Sequence, residues 1–558
     1  MTPKTKSESS ADVVRAVDEL ERRCDLCYQP LALLKRDWNL AAWLSLTEVV
    51  RRLEESISPN EYGSGKHKVA VMNLARVAEQ MRKFCHHAKR ALSAPSRFQW
   101  SHRAATECAA AFDVAWNYSM LCIDFPAWHA NLYTAELVDQ STVRFRSGDS
   151  QISRRANAYL KGIRPLGSRA AKDSGVPPDA SKQLRSLFEE ALRSVRGRGL
   201  LAIKVGDVDR LRNGLRDMYD ERLASLFRRY PDISLGIYTL EQFRNCYVAL
   251  LTVVGAHEHL CFLWAREHRF PLDSAVLVYN LPQLVKLLCK YSGESSTIVE
   301  AIIPDLTAGV TRAQDLQTLP IVPLADHSSI VAIAPAFPLA SNWEENILRV
   351  CSYSRPEVYS LTSVTKEEEM RDRLKDSARA PRMISGPFNI GKGIPDLDLI
   401  LEDSEADAVV LAELKWPRRP YSPREILQRN SEIRKGIAQI KAIKSFLVAN
   451  PAFLSDRGKM RKPLNEYSHI QFCVVSRDHL IPSDETGLPV YAYDVFEDRI
   501  SGDMDTPSVL ADLNGMNWLP TEGRDYKCEW IRSEAGGITV LTELFQLSTR
   551  GQALVTTR

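Results

Sequence analysis

Two apolar segments in the C-terminal half carry ionisable residues inside them, and few folds accommodate that. Gly-Ile-Pro395-Asp396-Leu-Asp398-Leu-Ile-Leu and Val-Val-Leu-Ala-Glu413-Leu414-Lys415-Trp both read as β-strands. Carboxylates and a lysine are too costly to half-bury unless something binds them. Alternation with period two puts Asp396 and Asp398 on one face of the first strand, and Glu413 and Lys415 on one face of the second. A turn through 402–407 lays the strands side by side, so that the four groups converge. Hard oxygen ligands of this kind suit Mg²⁺ or Mn²⁺, with the carbonyl of Leu414 as a backbone ligand. A lysine beside such an ion can orient a bound water and offset charge developing on a phosphate.

Pro395-Asp396, an intervening stretch and Glu413-Leu414-Lys415 together resemble the PD-(D/E)xK phosphodiesterase superfamily, over about a third of the chain. The resemblance implies a restriction-endonuclease-like α/β fold, a mixed central sheet flanked by helices. It implies an Mg²⁺- or Mn²⁺-dependent nuclease with Asp396 and Glu413 as ligands, Lys415 positioning the water, and Asp398 or Glu344 completing the metal shell.

The surroundings agree. Residues 342–351 read as a helix in which Glu344, Ile347, Leu348 and Cys351 share a face, and many members of the superfamily carry an acidic residue on their first core helix. Residues 423–449 form a long amphipathic helix with an apolar stripe from Ile426 to Leu447 and proline in its first turn, the expected crossover. Segments 469–476 and 490–493 read as further strands, giving an α-β-β-β-α-β order. The crossover helix carries Gln439, where some branches of the superfamily place a glutamine near the site. The tyrosine that follows it four residues later in those branches is Ile443 here.

Charge points to a nucleic-acid substrate. Between Lys415 and Lys462 there are 13 Lys or Arg against three acidic residues, in a chain of net charge +3. Arg418, Arg419, Arg424, Arg434, Lys435 and Lys441 are the expected phosphate contacts, with Trp416 and Tyr421 available for stacking on a base or sugar. DNA is the expected partner and RNA stays open. No zinc-finger spacing or helix-turn-helix is legible.

At 558 residues the chain has room for two to four domains. The expected division is a helical domain over 1–165, a linker at 166–182 around Pro165–Pro178, a second helical domain over 183–315, the nuclease over 316–500, and a β-hairpin appendage over 501–558. The segment 319–337 reads as a hairpin able to seal an edge of the nuclease sheet. No stretch reaches the ~20 apolar residues of a membrane span. Residues 1–11 lack the apolar core of a secretory signal, and the 11 cysteines show no disulfide framework, so a cytoplasmic protein is expected. Cys24-Asp-Leu-Cys27 with Cys85-His86-His87 lacks zinc spacing and reads as core cysteines and a surface His pair. His257-Glu258-His259 lacks the spacing of a metalloprotease helix, and Gly63-Ser-Gly-Lys66-His67 lacks the first glycine and the Ser/Thr of a phosphate loop. The helical half is expected to position substrate, to oligomerise, or to restrain the nuclease until a partner or signal arrives. Such pairings occur in bacterial antiviral defence and in recombination. Double-strand cleavage with one site per chain asks for a homodimer. The rival expectation is a non-catalytic nucleic-acid-binding scaffold in which the same carboxylates and lysine form ion pairs.

Overall fold

The computed structural model describes residues 6–36, 38–56, 65–87, 101–147, 151, 154–156, 158, 186–191, 205–223, 233–268, 276–309, 319–324, 330–333, 343–418, 420, 423–477 and 487–548. In chain order its longer helices are α1 (Lys6–Asp25), α2 (Trp38–Ser56), α3 (Gly65–His87), α4 (His102–His129), α5 (Val205–Arg222), α6 (Leu240–His268), α7 (Leu281–Ser292), α8 (Ser296–Ile302), α9 (Trp343–Ser354), α10 (Pro356–Ser377), α11 (Pro423–Ala449), α12 (Tyr493–Ser501) and α13 (Thr506–Asn514). The strands are β1 (Tyr133–Leu137), β2 (Thr142–Ser147), β3 (Leu277–Asn280), β4 (Ile321–Leu324), β5 (Ile330–Ile333), β6 (Arg382–Ser385), β7 (Leu399–Asp403), β8 (Ala408–Lys415), β9 (His469–Ser476), β10 (Val490–Ala492), β11 (Tyr526–Ala535) and β12 (Ile538–Leu547). The fold is mixed α/β. The expected linker at 166–182, the arginine cluster at 193–199, Arg419 and Tyr421 lie outside the described residues.

The chain divides into two compact units, each assembled from three separate segments. Unit 1 takes residues 1–122, 167–360 and 533–539, and unit 2 takes 123–166, 361–532 and 540–558.

Unit 1 is largely helical, as the apolar periodicity of this half requires. In α6, Phe243, Cys246, Tyr247, Leu250, Leu251, Val253 and Val254 are all buried, so the helix is apolar on several sides because it runs through the core. Local signals set helix ends: the Asn280 side chain accepts from the Gln283 N–H at 2.9 Å to start α7, and Gly293, at φ +78°, ends it. The hairpin expected at the edge of the nuclease sheet pairs elsewhere. β4 and β5 join β3 in a three-stranded antiparallel sheet of order β3-β5-β4, and the apolar side chains of Ile321, Val322, Leu324 and Ile333 enter the helical core.

Unit 2 is built on a five-stranded mixed sheet of order β10-β9-β8-β7-β6. β6, β7 and β8 are antiparallel neighbours, and β8, β9 and β10 run parallel, with α11 as the crossover between β8 and β9. Because β7, β8 and β9 are covered on both faces through their central stretches, consecutive residues there are apolar, as in Leu399–Leu401, Ala408–Ala412 and Phe472–Val475. On one face Leu399, Leu401, Val410, Ala412 and Cys473 meet Met370 and Leu374 of α10 and the apolar sides of α12 and α13. On the other, Ile400, Val409, Leu411 and Val474 meet Ile433, Ile437, Ile440 and Ile443 of α11.

A second, four-stranded sheet has order β1-β2-β12-β11. The C-terminal hairpin is therefore more than an appendage, since β12 lies beside β2. The strands at 133–147 interrupt a stretch expected to be helical. Their alternation is short, and β2 takes its second neighbour from β12, far away in sequence, while Phe145 packs edge-on against Phe125 of α4 at 5.3 Å. The Glu543 carboxylate accepts from both the Ser147 N–H at 3.1 Å and its hydroxyl at 3.2 Å, which fixes β2 in place.

Candidate active site

Register decides which ionisable residues meet. β7 pairs with β8 through Leu399↔Ala412, so the next position out sets Asp398 opposite Glu413. Both share the strand face of Ile400 and Val409, which is the α11 side. The Asp398 Oδ2 accepts the Leu414 N–H at 2.9 Å, and Arg371 of α10 donates to the Asp398 main-chain carbonyl at 2.9 Å. Asp398 is thus held through its backbone and its side chain at once.

Glu413 is 2% exposed. Its Oε1 accepts from Lys415 Nζ at 2.7 Å, whereas its Oε2 is buried and has no hydrogen-bond partner among the described residues. Glu367, half-buried on α10, accepts the Trp416 N–H and lies within electrostatic reach of Lys415 and Asp398. Asp398, Glu413 and Glu367 therefore gather around the Lys415 ammonium, with the Arg371 guanidinium also in reach of Asp398 and Glu367. Burial pushes the Glu413 carboxyl up to about 8, helped by the charge of Asp398 and opposed by Lys415. Burial likewise raises Glu367 to about 7, with Lys415 pulling the other way, and raises Asp398 against its Leu414 hydrogen bond. Burial disfavours the Lys415 ammonium, but Glu413 and Glu367 outweigh it, so its pKa moves up and it stays charged.

The crossover helix approaches the site through Gly436. A Cβ added there would stand 3.1 Å from both Cγ and Cε of Lys415 and 3.5 Å from Cγ of Glu413. Gly436→Ala gains about 1 kcal/mol of helix propensity, which offsets the crowding, so we expect a melting temperature within ~2 °C of the parent. The same substitution displaces the lysine and should lower any Lys415-dependent rate by at least ~10-fold, as a steady-state comparison would show.

The other expected site residues are distributed as follows. Asp396 is exposed, and its Oδ1 accepts from Asn389 Nδ2 at 2.9 Å. Glu344 is buried on α9 in unit 1, and the acidic helix residue beside Glu413 is Glu367. Gln439 is half-buried on α11, three residues beyond Gly436. Arg424, Arg434, Lys435 and Lys441 are exposed along α11. Arg418 is largely enclosed and ion-paired with Glu425 at 3.6 Å, which makes it part of the wall behind the helix start. Trp416 is flanked by cations, with the Arg477 guanidinium 4.2 Å and Lys366 Nζ 5.0 Å from its ring centroid.

Glu367 was the residue the sequence concealed. It sits in the run Lys366-Glu367-Glu368-Glu369, and the apolar residues around it include the exposed Leu361 and Val364, so α10 shows no clean stripe. Its one usable signal is the spacing of Met370 and Leu374, which fixes the buried side of α10. Neither a protein-family model, nor a curated protein, nor a solved structure matches this chain.

Proposed function

We propose that unit 2 is a metal-dependent nuclease of the PD-(D/E)xK, restriction-endonuclease-like kind that hydrolyses DNA phosphodiester bonds. The observation that carries this reading is the carboxyl cluster itself: Glu413, buried and opposite Asp398 on the neighbouring strand, with Glu367 in electrostatic reach and Lys415 bonded to it. Carboxyls buried this close together call for a counter-charge, and a divalent cation would supply one. The element order α10-β6-β7-β8-α11-β9 supports the fold.

The residue types fit a hard divalent ion: Asp398 and Glu413 would hold Mg²⁺ or Mn²⁺, with the Leu414 carbonyl at hand and Glu367 adding negative charge nearby. The reading moves the ligand role from Asp396 to Asp398, and the helix acid from Glu344 to Glu367. When bound, the ion supplies Lewis acidity toward the scissile phosphate and a more acidic water. Lys415, held by Glu413 and kept charged, directs its remaining N–H groups at the attacking water or a phosphate oxygen. The exposed cations of α11, from Arg424 to Lys441, hold the substrate backbone beside the site.

The test is cleavage of linear duplex, circular duplex and single-stranded DNA by the full chain with Mg²⁺ or Mn²⁺. Metal-dependent cutting that falls at least ~100-fold in Asp398→Asn and Lys415→Ala supports the reading. Wild-type protein that neither cuts nor gives a metal-binding heat overturns it.

The raised carboxyls add a linked expectation. With Glu413 near 8 and Glu367 near 7, the metal-free site holds protons at neutral pH that a cation must displace. Mg²⁺ affinity should therefore climb from pH 6 to pH 8, with roughly one proton released per ion at pH 7. Calorimetry in buffers of different ionisation heat measures that number, and a pH-independent affinity would contradict it.

A further inference from the structure

Between β6 and β7 the chain makes an excursion whose features core packing does not explain. Phe388 and Leu397 pair across its base, the Phe388 N–H reaching the Leu397 carbonyl at 2.8 Å and the Leu397 N–H returning at 2.9 Å. Just beyond them the Asn389 side chain donates to Asp396 at 2.9 Å. Ile390 is 1% exposed and anchors one arm in the core with Ile400, Val409 and Ile433. The tip is Gly391-Lys392-Gly393, closed by the Ile394 N–H to the Gly391 carbonyl at 3.2 Å. Both glycines have positive φ, +140° and +81°, and nothing lies within 4 Å of where a Cβ would stand at either. The Cβ side of the backbone is therefore open at both glycines, and Lys392 between them is exposed and forms no ion pair among the described residues. At the base, Lys459 Nζ sits 5.4 Å from the Phe388 ring centroid and adds a second cation to the same edge. The arm leads directly into Asp398, two residues past Asp396.

From this juxtaposition we propose that residues 388–397 form a substrate-gripping loop, in which Lys392 and the bare backbone beside it take a DNA phosphate next to the scissile one. Asp396, in this assignment, is a positioning residue that clasps the loop through Asn389 and holds no metal. The inference rests on the nuclease reading and refines where its substrate lies. Two glycines permit close approach of the backbone to a phosphate, and an unpaired lysine between them supplies the charge.

The experiment compares full-length wild type with Lys392→Ala, Asp396→Ala and Asp398→Ala. DNA binding is read by fluorescence anisotropy over a salt series, cleavage by steady-state kinetics, and Mg²⁺ binding by calorimetry without DNA. Lys392→Ala should raise KM about 10-fold with kcat within twofold, and lower the slope of log affinity against log salt by about one. Asp396→Ala should raise KM in the same way while keeping the Mg²⁺ heat that Asp398→Ala loses. A Lys392→Ala protein with wild-type KM and salt slope overturns the loop assignment, as does loss of the Mg²⁺ heat in Asp396→Ala. Wild type that binds no DNA removes the nuclease reading itself, and the loop assignment with it.

Discussion

Glu413→Gln is expected to abolish cleavage and, at alkaline pH, to stabilise the fold. A carboxyl raised from its ordinary 4.5 to about 8 holds its proton more tightly when folded than when unfolded. Between those two values the folded state binds more protons, so stability falls as pH rises, and above 8 the full cost is present. Glutamine keeps an acceptor for Lys415 Nζ and removes the buried charge. The shift would correspond to roughly 4–5 kcal/mol if it acted alone. Sharing among Asp398, Glu413 and Lys415 lowers the expected gain to ~2 kcal/mol at pH 9, a rise of about 5 °C for a unit of this size. At pH 4.5 the gain vanishes. Thermal melts of both proteins from pH 5 to pH 9, without added metal, would show the difference growing with pH. A variant no more stable at pH 9 than at pH 5 would mean that Glu413 is already satisfied by its neighbours and needs no cation.

Gly386→Ala should be the most damaging single methyl in unit 2. Gly386 has φ +127°, and a Cβ there would stand 2.4 Å from the Asp398 carbonyl oxygen and 3.3 Å from the Leu399 Cα. Neither the strained backbone nor the contact can be relieved by rotating a side chain, because the obstacle is main chain. The Asp398 carbonyl is also the acceptor of the Arg371 Nε–H, so displacing it breaks that bond as well. We expect a loss of about 3 kcal/mol or more, seen as a melting temperature lower by roughly 6–12 °C, and cleavage reduced beyond what the unfolded fraction accounts for. Unchanged stability would show that the β6–β7 connection can yield without disturbing Asp398.

Much of unit 2 was legible because its signals are local. The strands around Glu413 and His469 are long apolar runs, and the crossover helix has proline at its start and an isoleucine stripe that packs as its spacing requires. Period-two alternation placed Asp398, Glu413 and Lys415 on one face. It placed Asp396 on that face too, but the Phe388–Leu397 pairing carries Asp396 out of the sheet to Asn389, a long-range contact that alternation does not encode. The strand β6, Arg-Met-Ile-Ser, offers too little apolar pattern to be read, and Arg382 is buried there because the carbonyls of Ile500, Gly502 and Met504 receive its guanidinium. The edge is taken by β6, and the more apolar hairpin at 321–333 pairs with β3 in unit 1. Glu367 was hidden for a related reason: its environment comes from β7 and β8, and its own helix gives little sign of which side faces them.

The segmented make-up of the two units has a consequence for biosynthesis. β2 leaves the ribosome nearly 400 residues before β12, and the Ser147–Glu543 contacts span 396 positions. Until the chain has been made past residue 547, the β1-β2 hairpin has an open edge along β2. A chain stalled or clipped before the C-terminal hairpin would therefore contain every proposed nuclease residue and still be unfinished.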